Sequence, residues 1–138
     1  MGVRVRVRIE GPDGRVLESV ALLNGGFDTR DPHILLPGEA ARKLFPHPMK
    51  GKRITARTAD HEATMTRPVD ALVMRVLSDD REGPAVACRA LVAPHADEIL
   101  LSDSAIDAVG VGIRSFGGGL WQFVGESRTR SSEESETW

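Results

Sequence analysis

Val3, Val5, Val7 and Ile9 alternate with Arg4, Arg6 and Arg8 at the start of the chain. Strict period-two alternation sends the two sets to opposite faces of a strand, so residues 3–9 are predicted as a half-buried strand with a row of arginines on its outer face. Gly11-Pro12-Asp13-Gly14 supplies turn chemistry, Pro fixing one dihedral and Gly accepting a positive one. Residues 15–23 return as a second strand that rises to the apolar run Val20-Ala21-Leu22-Leu23. That run drives into Asn24-Gly25-Gly26-Phe27 and is followed, after a polar spacer from Asp28 to His33, by Ile34-Leu35-Leu36-Pro37. On spacing alone, Asn-Gly between two apolar runs reads as a hairpin turn. Pro37 suits the first turn of a helix, where its missing donor costs nothing. Residues 38–45 are that helix, with Ala40, Ala41 and Leu44 facing inward, and Pro46-His47-Pro48 stops it.

Two longer stretches, 52–58 and 63–77, are rich in Ile, Thr, Val and Met and read as strands around the polar turn Ala59-Asp60-His61-Glu62. A charged turn at 78–84 leads to a strand over 85–92, and residues 98–101 form a short apolar strand. Ser102 or Asp103 can cap the next helix, Ile106 and Val109 supply its buried stripe, and Gly110 ends it. Strands at 111–114 and 120–124 flank the turn Phe116-Gly117-Gly118-Gly119. About nine short strands and two short helices without a β-α-β rhythm predict an all-β domain over residues 1–126. Residues 127–138 are rich in Ser, Glu and Arg. With so little apolar surface to offset the entropy of ordering, they are expected to be a disordered polar tail.

Composition narrows the function classes. The 138 residues fit one domain, and no apolar run approaches the ~18 residues of a membrane-spanning helix. The first residues lack the apolar centre of a signal peptide, and a single cysteine, Cys88, fits a reducing compartment, so a cytoplasmic location is expected. A net charge of −2 gives no drive toward nucleic acid or an anionic membrane, and neither is expected as a partner. The arginine row is accordingly read as a solvated or interface-lining face rather than a phosphate strip. His33, His47, His61 and His95 are scattered without metal-ligand spacing, so no metal and no cofactor are expected. Cys88 reads as a small buried hydrophobe. Gly117-Gly118-Gly119 lacks the Lys-Ser/Thr of a phosphate loop, and no nucleophile elbow is present.

One stretch carries more than its spacing. Leu22-Leu23-Asn24-Gly25-Gly26 resembles the apolar-apolar-Asp-Thr/Ser-Gly motif of the retropepsin-like aspartic proteases, with Asn24 where the catalytic Asp belongs and Gly25 where Thr or Ser belongs. Ile34-Leu35-Leu36-Pro37, with Ala40-Ala41-Arg42-Lys43-Leu44 after it, is similar to the stretch next to the motif in small archaeal and bacterial members. Ile99-Leu100-Leu101-Ser102-Asp103 resembles the family's second landmark, with Ser102 where Gly is usual. The resemblance runs over about residues 3–124. It implies a closed acid-protease barrel, a homodimer with a composite cleft, and an extended peptide or protein segment as ligand. It also implies that Asn24, Gly25 and Gly26 occupy the catalytic turn and that Ala59, Asp60 and His61 form the tip of a flap over the ligand. Family members share one proton between two Asp carboxylates, and an Asn amide is no base near neutral pH. The expectation is therefore an aspartic-protease homologue that hydrolyses peptides weakly or not at all. The alternative is a non-catalytic peptide-binding or assembly module using the same cleft. As substitute carboxylates, Asp28 is followed by Arg30 instead of the turn's Gly, and Asp103 is more simply a cap.

Overall fold

The computed structural model describes residues 2–23, 27–57 and 62–138. Among them are eleven strands and two short helices, so the molecule is mostly β. Strands β1 (Val3–Glu10) and β2 (Val16–Leu23) form a hairpin in register from Val3↔Leu23 to Glu10↔Val16. The alternation in β1 is realised in full: Val3, Val5, Val7 and Ile9 have no solvent exposure. β3 (His33–Pro37) leads into α1 (Gly38–Leu44), which buries Ala40, Ala41 and Leu44 as expected. A hairpin of β4 (Gly51–Arg57) and β5 (Glu62–Pro68) comes next, then β6 (Leu72–Leu77), β7 (Val86–Ala93) and the short β8 (Ile99–Leu101). α2 (Asp103–Ala108) precedes a separate sheet of β9 (Val111–Ser115), β10 (Leu120–Phe123) and β11 (Arg130–Ser131).

Six strands close into a barrel, in the order β1-β2-β8-β3-β7-β6 and back to β1. The contacts β2–β8 and β3–β7 are parallel, and the other four are antiparallel. Closure pairs each ring strand with a neighbour on both sides, so that only short stretches of its backbone stay open. Its interior is filled by fully buried aliphatics such as Ile9, Ile34, Leu36, Leu72, Met74 and Leu101. Each such side chain contributes about 1.5–3 kcal/mol relative to exposure, which makes this interior the main stabilising element. The β4–β5 hairpin stands outside the ring and joins it where Thr66 pairs with Val92.

The stretch 63–77, read from sequence as one strand, is two. Pro68 has no amide to donate to a ladder. After it the chain turns, the Val69 amide bonding the Lys50 carbonyl at 3.0 Å, before β6 begins.

The β1–β2 turn is seated on the end of α1. A Cβ built on Gly11 would lie 2.1 Å from the Leu44 carbonyl oxygen, a backbone atom that cannot rotate away. Gly11→Ala is therefore expected to cost at least about 2 kcal/mol by forcing turn and helix apart. Urea unfolding checks this, and an unchanged midpoint would show that the seat yields freely.

The disordered tail expected over residues 127–138 is corrected. Arg130 and Ser131 pair with β10, and Arg130 is only 7% exposed. Beyond them the segment supplies partners that the short barrel strands do not reach. β6 ends at Leu77 opposite Arg6, leaving the backbone of Arg4 open. There Ser132 Oγ accepts from the Arg4 amide at 2.8 Å, and the Glu133 amide donates to the Arg4 carbonyl at 2.9 Å. β8 begins at Ile99 opposite Ala21, leaving Val20 open, and Glu136 accepts from the Val20 amide at 2.9 Å. Trp138 donates its amide to the Asp97 carbonyl at 2.9 Å and its indole N–H to the buried Ser19 hydroxyl at 3.2 Å. Within the arginine row of β1, Arg6 pairs with Glu133 and Glu136 of this segment, while Arg4 pairs with Glu98 and Arg8 with Glu82. Arg6 and Arg8 are more than a third exposed, so their ion pairs add little, and the backbone bonds carry the attachment.

Candidate functional site

β2 and β8 run parallel and finish together, with Ala21, Leu22 and Leu23 opposite Ile99, Leu100 and Leu101. On its other side β8 pairs antiparallel with β3 through Ile34↔Leu101 and Leu35↔Leu100. β8 thus lies between β2 and β3, and the reading of Asn24-Gly25 as the turn of a hairpin joining them is corrected. β2 instead ends at Leu23 where the two parallel strands finish together, and the described chain resumes at Phe27 beside the start of α2. Asn24, Gly25 and Gly26 themselves lie outside the described residues, as do the candidate flap residues Ala59, Asp60 and His61. The Phe27 carbonyl accepts from the Asp103 amide at 2.9 Å.

Ser102 ties this corner together. It is fully buried and caps α2, its Oγ accepting from the Ala105 amide at 3.2 Å and from the His33 amide at 3.1 Å. Its own amide donates to the His33 carbonyl at 3.1 Å. One hydroxyl therefore fixes the end of β8, the start of β3 and the first turn of α2. Between the two caps offered by the sequence, the structure selects Ser102 over Asp103. Ser102→Ala removes the cap and leaves the His33 amide without its partner, for an expected loss of about 2 kcal/mol in urea unfolding. A loss of only a few tenths would mean that water replaces the hydroxyl at both amides.

Of the alternative carboxylates, Asp28 is exposed and Asp103 half-buried in the first turn of α2. His33 directs Nδ1 at the Asp31 carbonyl, 2.8 Å away. The outer face of the barrel near the end of β2 carries an apolar stripe of half-buried side chains, Leu22, Leu100 and Leu35, on three adjacent strands. Arg4 stands beside Leu22 and holds Glu98 through two hydrogen bonds of 2.7 and 3.0 Å. The guanidinium bond holds the Glu98 carboxyl below its ordinary range, against the opposing effect of desolvation, and Glu98 raises Arg4 in turn. A neutralised ion pair thus borders the apolar stripe near the end of β2. Sequence reasoning missed Glu98, because nothing in a short charged loop names Arg4 as its partner across the barrel.

Cys88 is buried as expected, and burial pushes its thiol up to about 12, so no thiolate is available at neutral pH. Among the described residues, no group of three or more His, Cys, Asp or Glu side chains is placed to hold a metal ion, and no helix is long and apolar enough to cross a membrane. No family model matches the chain, and no curated protein matches it.

Proposed function

We propose that the chain is a retropepsin-like aspartic-protease homologue that works as a homodimer, grips an extended peptide or protein segment, and hydrolyses it poorly because Asn24 stands in place of the catalytic Asp. One observation carries the reading: Leu22-Leu23 and Leu100-Leu101, from the two stretches that resemble the family's landmarks, pair as parallel strands that end side by side. The Ser102 bonds to His33 and Ala105, and the Asp103 bond to Phe27, brace that junction. The closed barrel and the apolar stripe of Leu22, Leu100 and Leu35 give the junction of β2 and β8 an outer surface suited to aliphatic side chains.

The chemistry sets what the junction can do. Two Asp carboxylates at contact distance share a proton, one serving as base toward water and the other as donor to the carbonyl. Two Asn side chains have neither a shared proton nor a charge to activate water. Peptide binding through backbone pairing survives this replacement, and so a binding or assembly module is the second reading, favoured by Asn24 itself. Cleavage of an unbiased peptide mixture by the chain and by Asn24→Asp tests the proposal, with the oligomeric state measured by light scattering. A strict monomer at tens of micromolar would count against any composite cleft.

A further inference from the structure

A groove of about 440 Å3 opens on the barrel away from the Ser102–His33 corner, between α1, the 45–49 segment, the root of the β4–β5 hairpin and the end of β7. Its floor and walls are apolar: Ala41, Phe45, Met49, Val92 and Pro94 line it. β3 separates the two places. It starts at His33 beside Ser102 and ends at Pro37 at the foot of α1, roughly 13 Å further at ~3.3 Å per residue. The groove belongs neither to the barrel interior nor to the candidate peptide site, and nothing about it depends on the protease reading.

The polar groups around this groove are biased to one sign. Arg42 and His47 are part of its lining, and both are exposed. Thr66, on the hairpin side, offers a hydroxyl. Arg53 stands directly opposite Thr66 in the β4–β5 register, so its side chain shares the face that looks onto the groove. Glu39 is the carboxylate that pairs with Arg42, one turn earlier on α1. Both partners are more than half exposed. Such a surface pair is weak, so an incoming carboxylate can take the guanidinium from it at little cost. An apolar floor of this size with the Arg42 and Arg53 guanidinium groups at its mouth matches a ligand that is apolar at one end and anionic at the other.

We propose that this groove binds a small amphipathic carboxylate, its apolar body against Ala41, Phe45, Met49 and Val92 and its carboxylate at Arg42, with His47 and Arg53 alongside. The probe is 4-phenylbutyrate, compared with 4-phenylbutylamine and 4-phenylbutanol, titrated into the full chain while amide resonances are followed by two-dimensional NMR. Phenylbutyrate is expected to shift the amides of Ala41, Phe45, Thr66 and Val92 saturably at millimolar concentration, and the alcohol and amine to bind at least about tenfold more weakly. Arg42→Gln, at an exposed position that folding does not depend on, is expected to weaken the acid by about tenfold and leave the alcohol unchanged. Thr66→Trp, which fills the groove from the hairpin side, is expected to abolish the shifts. Equal binding of all three probes, no saturable binding of the acid, an unchanged affinity in Arg42→Gln, or shifts gathered at residues 27–33 and 99–103 would each overturn the proposal.

Discussion

Asn24→Asp is expected to cut an unbiased peptide mixture, between mildly acidic and neutral pH, several powers of ten faster than the unaltered chain. The size of the gain reflects the chemistry that the amide side chain lacks. General base catalysis by a positioned carboxylate contributes roughly 10²–10⁴-fold, and groups that act as a unit lose nearly everything when one is removed. In a symmetric pair, one substitution per chain restores both groups at once, the base and the proton donor. The rate should then rise on the acid side, where one carboxylate of the pair is protonated and the other is not. Cutting by the unaltered chain would show that another group supplies the base, with exposed Asp28 the first to replace. If neither protein cuts although both are dimers, Gly25 has dismantled the turn along with Asn24, and the binding module becomes the better reading.

Replacing Arg130 by Met should lower the melting temperature by about 10 °C at neutral pH, because it strands carboxylates gathered around a buried cation. The Arg130 side chain is 5% exposed. It holds Glu126 through bonds of 2.7 and 3.0 Å, and Asp80 through bonds of 2.6 and 3.3 Å. Its guanidinium lies 5.1 Å from the Phe123 ring centroid and 5.8 Å from that of Trp121, so the residue also fastens the small sheet to the 78–81 turn. Arg128 bonds Asp79 and Asp80 from outside, but it is half exposed and cannot take over. The hydrogen bond from Arg130 is the largest influence on both acids: it holds Glu126 down to about 2 and Asp80 lower still.

The pH dependence comes from those directions. A carboxyl whose folded value is depressed contributes stability that is fully present above its unfolded value of about 4.3 and is lost as the pH falls through the folded value. The unaltered chain should therefore lose stability steeply between about pH 4.5 and pH 2. In Arg130→Met that acid limb should flatten, since the two carboxyls return toward ordinary values. An unchanged melting temperature together with an unchanged acid limb would mean that the cluster is held by Arg128 and Arg81 instead.

The local parts of this fold are legible in the sequence and its closure is not. β1 can be read because one face of it lies inside a barrel, so Val3 to Ile9 alternate without exception. α1 can be read because Pro37 starts it and Ala40, Ala41 and Leu44 fall on one side. β8 is three residues long, and nothing within Ile99-Leu100-Leu101 names Ala21–Leu23 on one side and Ile34–Leu35 on the other as its neighbours. Only the resemblance sets residues 22–26 and 99–103 in correspondence. The closing segment defeats the rule for disorder, because that rule weighs apolar content. Ser132, Glu133 and Glu136 are held through backbone groups left open at Arg4 and Val20. Arg6 near one end of the sequence and Glu133 and Glu136 near the other are the available signal, a charge match that no local window contains.

The insertion of β8 between β2 and β3 bears on how the chain is made. During translation the first hairpin and α1 leave the ribosome with the slot between β2 and β3 still empty, and residues 99–101 must be synthesised before it can be filled. The open backbone at Arg4 and Val20 waits longer still, for residues 132–136. The barrel therefore cannot grow strand by strand behind the ribosome. It has to condense after most of the chain is out, with the loop-closure entropy of its longest contacts met at the same moment. That places it among the slower-folding β topologies, with transit times of milliseconds to seconds. Over that interval the unfilled slot, rather than any edge of the finished barrel, is where a nascent copy would be captured by a chaperone or by another copy of itself.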